Sequence, residues 1–177
     1  RTESSKIYFL TGHGEYNPNS ADRHTGASNI ARLLELYDNE IDILNLNKNC
    51  QIPKDCDILT IAGPTTIFSE TEINAISTYL NNGGKALFLF VSFFADGLAP
   101  LLNFWNIQIS APLSQGNKNI IPVTTTIYNR HEITEPLTNI ATTFSSPCYL
   151  SPASDIHLTT TELADKPIFT PLILSEP

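Results

Sequence analysis

A short apolar segment that ends in a glycine-rich polar turn constrains this chain more than any other feature. Lys6–Leu10 has the length and composition of a buried strand, and Thr11-Gly12-His13-Gly14-Glu15 follows it directly. In an open α/β sheet, ligands and catalytic groups gather just beyond the carboxyl ends of the parallel strands. The turn at Gly12–Glu15 is therefore the first place to expect a functional site.

The first half of the chain alternates between strand-like and helix-like segments. Strands are predicted over 6–10, 41–46, 57–62 and 85–91, and helices follow Ser28 and Ser69. The segment 85–91 is continuously apolar, which is typical of a central parallel strand that is covered on both faces. Parallel strands joined by helices predict an α/β fold with a doubly wound, mostly parallel sheet and right-handed crossovers.

The first helix is predicted from its apolar spacing. Ile30, Leu33, Leu34 and Tyr37 follow the i, i+3, i+4, i+7 pattern, so we expect them to face the core. Ser28 precedes them and is the expected N-cap.

The second helix has a stronger local signature. Ser69-Glu70-Thr71-Glu72 has the pattern of a capping box, with Ser69 at the N-cap and Glu72 at N3. Phe68 and Ile73 occupy the positions of a hydrophobic staple. Ile73, Ile76 and Leu80 are expected to face the core, and Asn82-Gly83-Gly84 to end the helix with a left-handed cap.

The rest of the chain is less regular. A third helix is predicted over 98–105, and strand-like pieces at 120–126 and 156–161 alternate with Pro, Ser and Asn. Because there is no internal repeat and no clear linker, we predict a single α/β domain over 1–177. Its core covers about 6–150, and 151–177 form an extension.

Charge and hydropathy exclude several classes of partner. The formal net charge is −8, whereas binding to nucleic acid or to anionic lipid needs clusters of Lys and Arg. No apolar run approaches the roughly 18 residues that a membrane-spanning helix requires. Nothing in this sequence is therefore expected to bind nucleic acid or to cross a membrane.

The three cysteines do not form a metal-binding pattern. Cys50 and Cys56 lie on either side of a proline, and Cys148 stands alone. An odd number leaves at least one thiol free within the chain. Buried or incidental cysteines are the favoured interpretation, and a Cys50–Cys56 clip on the loop that enters the third strand is the alternative.

Two kinds of ligand were considered for the first turn. His13, Glu15, Asp22 and His24 are possible metal ligands within twelve residues, but they lack a compact ligand spacing. Gly12-x-Gly14 lacks the third glycine of a dinucleotide fingerprint. We favour a structural interpretation of this turn. The two glycines permit a sharp exit from the strand, and the His13 and Glu15 side chains satisfy backbone groups. No metal and no cofactor is predicted.

A nucleophile is the remaining catalytic option. Val91-Ser92-Phe93-Phe94 follows the fourth strand, where hydrolases carry their nucleophile, but bulky residues replace the small neighbours that such a turn needs. The alternative to a non-enzymatic domain is thus an amidotransferase-like or serine hydrolase enzyme that uses Ser92, with His13 as base and Glu15 as its orienter.

Several segments together resemble one known family. In chain order they are Ile7–Glu15, Ile52–Leu59, Ile61–Pro64, Ser69–Glu72, Tyr79–Lys85 and His131–Thr134. Their order and spacing resemble the auxiliary domain of uncharacterised bacterial ABC-type transport systems, the family that includes the gliding-motility protein GldG. The resemblance covers roughly residues 6–150.

The resemblance implies a fold related to the class I glutamine amidotransferases, and hence flavodoxin-like, without amidotransferase chemistry. It also implies an extracytoplasmic domain on the periplasmic face, tethered to the cytoplasmic membrane by helices outside this sequence. Relatives often have an Asp-Pro pair where this chain has Ser92-Phe93.

The prediction is therefore a non-enzymatic accessory domain of an ABC-type transport system. Its expected partners are permease or ATPase subunits, other proteins of the membrane complex, or an extracytoplasmic ligand. The predicted binding surface is the crevice at the carboxyl ends of the strands, and its residues are Gly12, His13, Gly14, Glu15, Pro64 and Ser92.

Overall fold

A computed structural model describes residues 4–90, 98–105, 107–110, 123–144, 149–152 and 172. The chain divides into two compact units, Arg1–Leu101 and Leu102–Pro177. The prediction of a single domain stays a prediction. No helix among the described residues is long and apolar enough to cross a membrane.

The first unit contains the predicted alternation of strands and helices. In chain order the elements of the described chain are β1 (Lys6–Leu10), α1 (Ser28–Leu36), β2 (Glu40–Leu44), β3 (Ile58–Ala62), α2 (Glu70–Asn81), β4 (Lys85–Leu89), α3 (Ala99–Phe104), β5 (Ile107–Ser110), β6 (Val123–Thr125), a 3₁₀ turn (Glu135–Leu137), β7 (Thr142–Phe144) and β8 (Tyr149–Pro152).

A four-stranded parallel sheet forms the centre of the first unit. Its strand order is β2-β1-β3-β4, so Phe9 of β1 is paired with Ile43 on one side and with Thr60 on the other. Most side chains of β1 and β3 are buried, as expected for inner parallel strands with cover on both faces. The α/β class and the parallel sheet are thus confirmed.

The second helix forms as its sequence predicts. The Ser69 side chain accepts a hydrogen bond from Glu72 N, and the Glu72 side chain accepts one from Ser69 N, which completes the capping box. Ile76 is fully buried. Gly83, just past the end of α2, has the predicted left-handed conformation, with φ +87°.

The predicted core face of the first helix is wrong. Ala31 is the buried residue of α1 and Leu34 is half-buried, whereas Ile30, Leu33 and Tyr37 are exposed. Apolar residues occur on more than one side of this helix, so periodicity alone does not say which side packs. The predicted N-cap is also wrong: Ser28 is the first helical residue and Ala27 is the N-cap, without a side-chain hydrogen bond.

The prediction that the fourth strand is covered on both faces is wrong as well, whereas its central position in the complete sheet stays a prediction. In the part of the chain that the structure describes, β4 is the terminal strand of the sheet, and Leu87 and Leu89 are exposed. A terminal strand has a neighbouring strand on one side only, so fewer residues pack on its faces. Val91, the predicted last residue of this strand, lies outside the described residues.

The second unit contains short antiparallel pairs. β5 pairs with β8, and β6 pairs with β7. β6 lies within the predicted strand-like piece 120–126, whereas the piece 156–161 lies outside the described residues. The predicted third helix is present as α3.

Candidate functional site

The turn after β1 leaves the sheet sharply because it contains two glycines in the left-handed region of φ. Gly12 has φ +125° and Gly14 has φ +82°. A side chain at Gly12 would meet the amides of Asn45 and Asn47 after β2, and one at Gly14 would collide with Thr65 after β3. The glycines therefore permit both the backbone conformation and a close approach of neighbouring turns.

The backbone of His13 joins the turns after β1 and β3. Its carbonyl oxygen accepts hydrogen bonds from Thr65 N at 2.7 Å and Thr66 N at 3.1 Å. It also accepts one from the Thr65 hydroxyl at 3.1 Å. These bonds fix the turn from its backbone side, so the direction of the His13 side chain is well determined.

The side chain of His13 lies between two buried carboxylates. Its Nε2 is 3.2 Å from Oε2 of Glu72, and its Nδ1 is 3.3 Å from Oε1 of Glu15. The ring stacks on Phe68 with a centroid distance of 4.0 Å. His13, Glu15 and Glu72 are only 4%, 7% and 2% exposed. We call these three residues the buried triad.

Glu72 belongs to both the capping box and the buried triad. Its Oε2 accepts hydrogen bonds from Ser69 N at 2.8 Å and from the Ser69 hydroxyl at 2.7 Å. Burial by itself raises the pKa of the Glu72 carboxyl, but the hydrogen bonds from Ser69 and the nearby His13 imidazole outweigh it. The net pKa lies below its usual range, so Glu72 is a carboxylate at neutral pH.

Glu15 is bound at one oxygen only. Its Oε2 accepts a hydrogen bond of 2.6 Å from His13 N, which holds the carboxylate against its own turn. Oε1 of Glu15, Oε1 of Glu72 and Nδ1 of His13 are buried, and the described structure gives them no hydrogen bond of good geometry. Nδ1 therefore lies 3.3 Å from Oε1 of Glu15 without an aligned hydrogen bond.

The contacts of His13 indicate which of its ring nitrogens donates a hydrogen bond. Because the Glu72 carboxylate can only accept, Nε2 of His13 is the donor in that contact. Nδ1 is enclosed against Glu15, away from solvent. A catalytic base must reach the proton that it removes. The alternative enzyme that combines His13 with Ser92 stays a prediction, because Ser92, whose proton His13 would take, lies outside the described residues.

The predicted site residues divide into buried and exposed groups. His13, Glu15 and Pro64 are buried, whereas Gly12 and Gly14 are exposed. The strand-end turns thus present mainly backbone to solvent. Their role in binding stays a prediction.

Sequence reasoning missed that Glu72 approaches His13. The capping box predicts that the side chain of Glu72, at N3, turns back toward the start of the helix. Phe68 is the apolar residue just before the N-cap. Those two signals placed Glu72 at the N-terminus of α2. Nothing local indicated that this terminus meets the turn after β1, 59 residues earlier.

The four possible metal ligands of the first loop do not come together. Asp22 is exposed, and its carboxylate accepts hydrogen bonds from His24 N, Thr25 N and the Thr25 hydroxyl. These bonds lower the pKa of Asp22. His24 is exposed in the same turn, whereas His13 and Glu15 are buried. Within the described ranges, no group of three or more such side chains is arranged to hold a metal ion.

The cysteines of the 50–56 loop are free. Sγ of Cys50 lies 3.9 Å from the hydroxyl of Thr71, near the start of α2, and Sγ of Cys56 lies 3.6 Å from the hydroxyl of Tyr79. Because their contact residues are about two turns apart on α2, the thiols meet different parts of the helix and form no clip. Burial raises the pKa of the Cys56 thiol. Cys148 lies outside the described residues.

The parallel sheet, its flanking helices and the buried triad define an α/β domain whose strand-end histidine is fixed by carboxylates. Comparison with known families gives the more particular assignment. The family model described as "ABC-type uncharacterized transport system" matches residues 4–162. This chain therefore belongs to the family of auxiliary domains of ABC-type transport systems.

A solved structure shares the fold. The structure titled "mmIFT52 N-terminal domain" is 19% identical and superposes with a TM-score of 0.55. The match covers 84% of this chain and 68% of that chain. At this identity the likeness concerns the fold alone. No curated protein matches the sequence.

Proposed function

We propose that this chain is a non-enzymatic accessory domain that binds a protein subunit of an ABC-type transport complex. The observation that carries the proposal is the state of His13: both its ring nitrogens face buried carboxylates, so the most reactive group of the strand-end turn stabilises the fold. Membership of the auxiliary family supplies the biological setting. Because His13 is enclosed, we infer that the domain acts by binding a partner protein through its surface.

The proposal includes a place and a more particular fold. We propose that the domain lies on the periplasmic face and is tethered to the cytoplasmic membrane, as in the GldG-like members of the family. We also propose that the complete sheet is doubly wound and resembles those of flavodoxin and the class I amidotransferases. The order β2-β1-β3-β4 supports this, since it equals the first four strands of the flavodoxin-like order.

Co-purification tests the proposed function. The protein, carrying an affinity tag, is purified from membranes of its own cells, and the ABC-type permease and ATPase subunits that co-purify with it are quantified. The proposal predicts that at least one subunit is retained in near-stoichiometric amount. Recovery of the tagged protein without either subunit, under conditions that keep permease and ATPase together, would contradict it.

A further inference from the structure

A groove follows helix α2 on the side of the loop that enters β3. Its cavity volume is about 830 Å³, and its walls are the 50–56 loop, one side of α2 and the turn at Gly83 and Gly84. This volume lies within the range of sites that bind ligands. Because most of the lining residues are exposed, the groove is open along its length rather than enclosed. We call it the α2 groove.

The dimensions of the α2 groove fit an extended chain better than a helix. From Thr71 to Asn82 the groove follows α2 for about 17 Å. Dividing the cavity volume by this length gives a mean cross-section on the order of 50 Å². An extended chain in a packed sheet occupies about 4.8 Å by about 10 Å, which is nearly the same area. A helix about 10 Å across has a cross-section of roughly 80 Å² and is too wide.

Carboxamide groups project from both walls of the groove. Gln51 comes from the loop, and Asn74 and Asn82 come from α2. Within the part of the chain that the structure describes, these three side chains make no hydrogen bond. A carboxamide both donates and accepts, so it can pair with the C=O and the N–H groups of a peptide backbone.

The spacing of the two asparagines also matches an extended backbone. Asn74 and Asn82 are eight residues apart on α2, which is about 12 Å along the helix axis. Four residues of an extended chain cover about 13 Å, and its peptide groups point to the same edge at every second residue. The two carboxamides can therefore reach the same edge of one extended segment.

Charge contributes little to this groove. Ile52, Pro53 and Ala75 offer apolar contacts, and Lys54 is the single charged side chain in the described lining. A surface that binds nucleic acid carries clusters of cations, which this lining lacks. Recognition through a peptide backbone needs amide and hydroxyl groups rather than charge.

We propose that the α2 groove binds an extended segment of a partner protein, about five or six residues long, through the backbone of that segment. This inference rests on the proposed function, because it names the surface through which the domain would hold a transport subunit. Asn74 and Asn82 pair with backbone groups of the segment from one wall, and Gln51 does so from the other. As in other complexes with extended peptides, hydrogen bonds to the main chain supply the affinity.

A peptide and its ester counterpart test recognition of the backbone. The peptide is a terminally blocked hexapeptide of alternating Thr and Val, and its binding to the isotope-labelled 177-residue protein is followed by NMR shift changes. The counterpart has the same side chains, but ester bonds replace the peptide bonds, so it lacks the backbone N–H donors. The hexapeptide should shift the amide signals of the groove and should bind at least about tenfold more tightly than the ester counterpart.

Variants of the protein locate the site. Asn74→Ala, Asn82→Ala removes two carboxamides of the groove and should raise the Kd of the hexapeptide about tenfold or more. The matched control Asn29→Ala, Asn81→Ala removes two exposed carboxamides of helices outside the groove and should change the Kd less than about twofold. Alanine is the best helix former, so both variants should fold, and thermal unfolding checks this.

Several results would overturn the proposal. They are an equal Kd for the groove and control variants, equal binding of the ester counterpart, and no binding of the hexapeptide at about 1 mM. Maltohexaose, a neutral saccharide, is titrated in parallel. If it shifts the groove signals at a lower concentration than the hexapeptide does, the ligand is a saccharide and the proposal is wrong.

Failure here and failure of the proposed function are distinguishable. If the groove variant co-purifies with a transport subunit as fully as the unchanged protein does, the α2 groove is not the docking surface and the proposed function stands. If the unchanged protein retains no subunit, the proposed function fails whatever the hexapeptide does.

Discussion

His13 Nε2 lies 3.2 Å from Glu72 Oε2, and this contact joins the end of the first strand to the start of the second helix. The same carboxylate oxygen accepts hydrogen bonds from the backbone and hydroxyl of Ser69. One buried oxygen thus caps the start of α2 and also holds the imidazole of His13 in place. A buried carboxylate is tolerated when it is hydrogen-bonded, and Glu72 has donors from both Ser69 and His13.

Acid is expected to weaken the fold through Glu72. Its pKa in the folded protein lies below the ordinary value of 4.5, so the unfolded chain takes up a proton first as the pH falls. The stability that Glu72 contributes is therefore complete above that value and is lost as the pH drops through the folded pKa. Urea unfolding between about pH 7 and pH 3 measures the slope.

The variant Glu72→Gln is the control for that slope, because Gln at N3 also supports a capping box. It should be less stable at pH 7, and its free energy of unfolding should fall less steeply in acid. Parallel curves for the two proteins would show that Glu72 does not carry this pH dependence.

The two helix starts give a matched pair of serine substitutions. Ser69→Ala removes a real N-cap and one of the donors to Glu72, so it should cost about 1–2 kcal/mol in the free energy of unfolding. Ser28 is the cap that the sequence predicts, but it makes no cap bond in α1. Ser28→Ala should therefore cost less than about 0.5 kcal/mol in the free energy of unfolding. Chemical denaturation distinguishes them; equal losses would refute the assignment of the caps.

Two glycines with nearly equal φ make it possible to measure the cost of backbone strain and the cost of a steric clash separately. Gly83 has φ +87° and open space around it, so Gly83→Ala should cost about 1–2 kcal/mol through the left-handed conformation alone. Gly14 has φ +82°, and its new methyl group would also collide with Thr65. Gly14→Ala should therefore cost at least about 1 kcal/mol more. Thermal or urea unfolding of both variants checks the difference, and an equal loss would mean that the turns after β1 and β3 are not packed closely.

The Tyr79 hydroxyl is expected to contribute more to the free energy of unfolding than an exposed tyrosine hydroxyl does. It donates to Lys85 O at 3.0 Å and accepts from Lys85 N at 3.2 Å, which ties α2 to the start of β4. Burial and the contact with Cys56 raise the pKa of Tyr79 to about 12. Tyr79→Phe should cost about 1–2 kcal/mol, against almost nothing for Tyr37→Phe. Spectrophotometric titration should show one tyrosine that ionises late, and its absence would contradict the contact.

Local rules predicted those features whose causes lie within a few residues. The capping box at Ser69 and Glu72, the left-handed Gly83 and the sharp turn at Gly12 and Gly14 all depend on short-range sterics and hydrogen bonds. The alternation of strands and helices also sufficed to predict a parallel sheet. These features formed as expected because short-range contacts are sufficient to fix them.

The burial of side chains and the identity of their contact partners depend on long-range contacts that the sequence alone does not reveal. The core face of α1 and the cover on β4 depend on the strand order β2-β1-β3-β4, in which β4 is terminal among the described strands. Likewise, His13 was identified as a reactive group by its position after a strand. Its contact with Glu72 follows only from the way α2 packs.

A double-mutant cycle between His13 and Glu72 tests most directly the claim that His13 is a structural residue. The free energy of unfolding is measured for the unchanged protein, His13→Ala, Glu72→Gln and the double variant. His13→Ala removes a hydrogen-bond donor from the buried Glu72 carboxylate, which costs about 1–3 kcal/mol, so it should be clearly destabilising. If His13 and Glu72 stabilise the fold together, their coupling energy should be about 1–3 kcal/mol. A coupling below about 0.5 kcal/mol, with His13→Ala close to neutral, would contradict it.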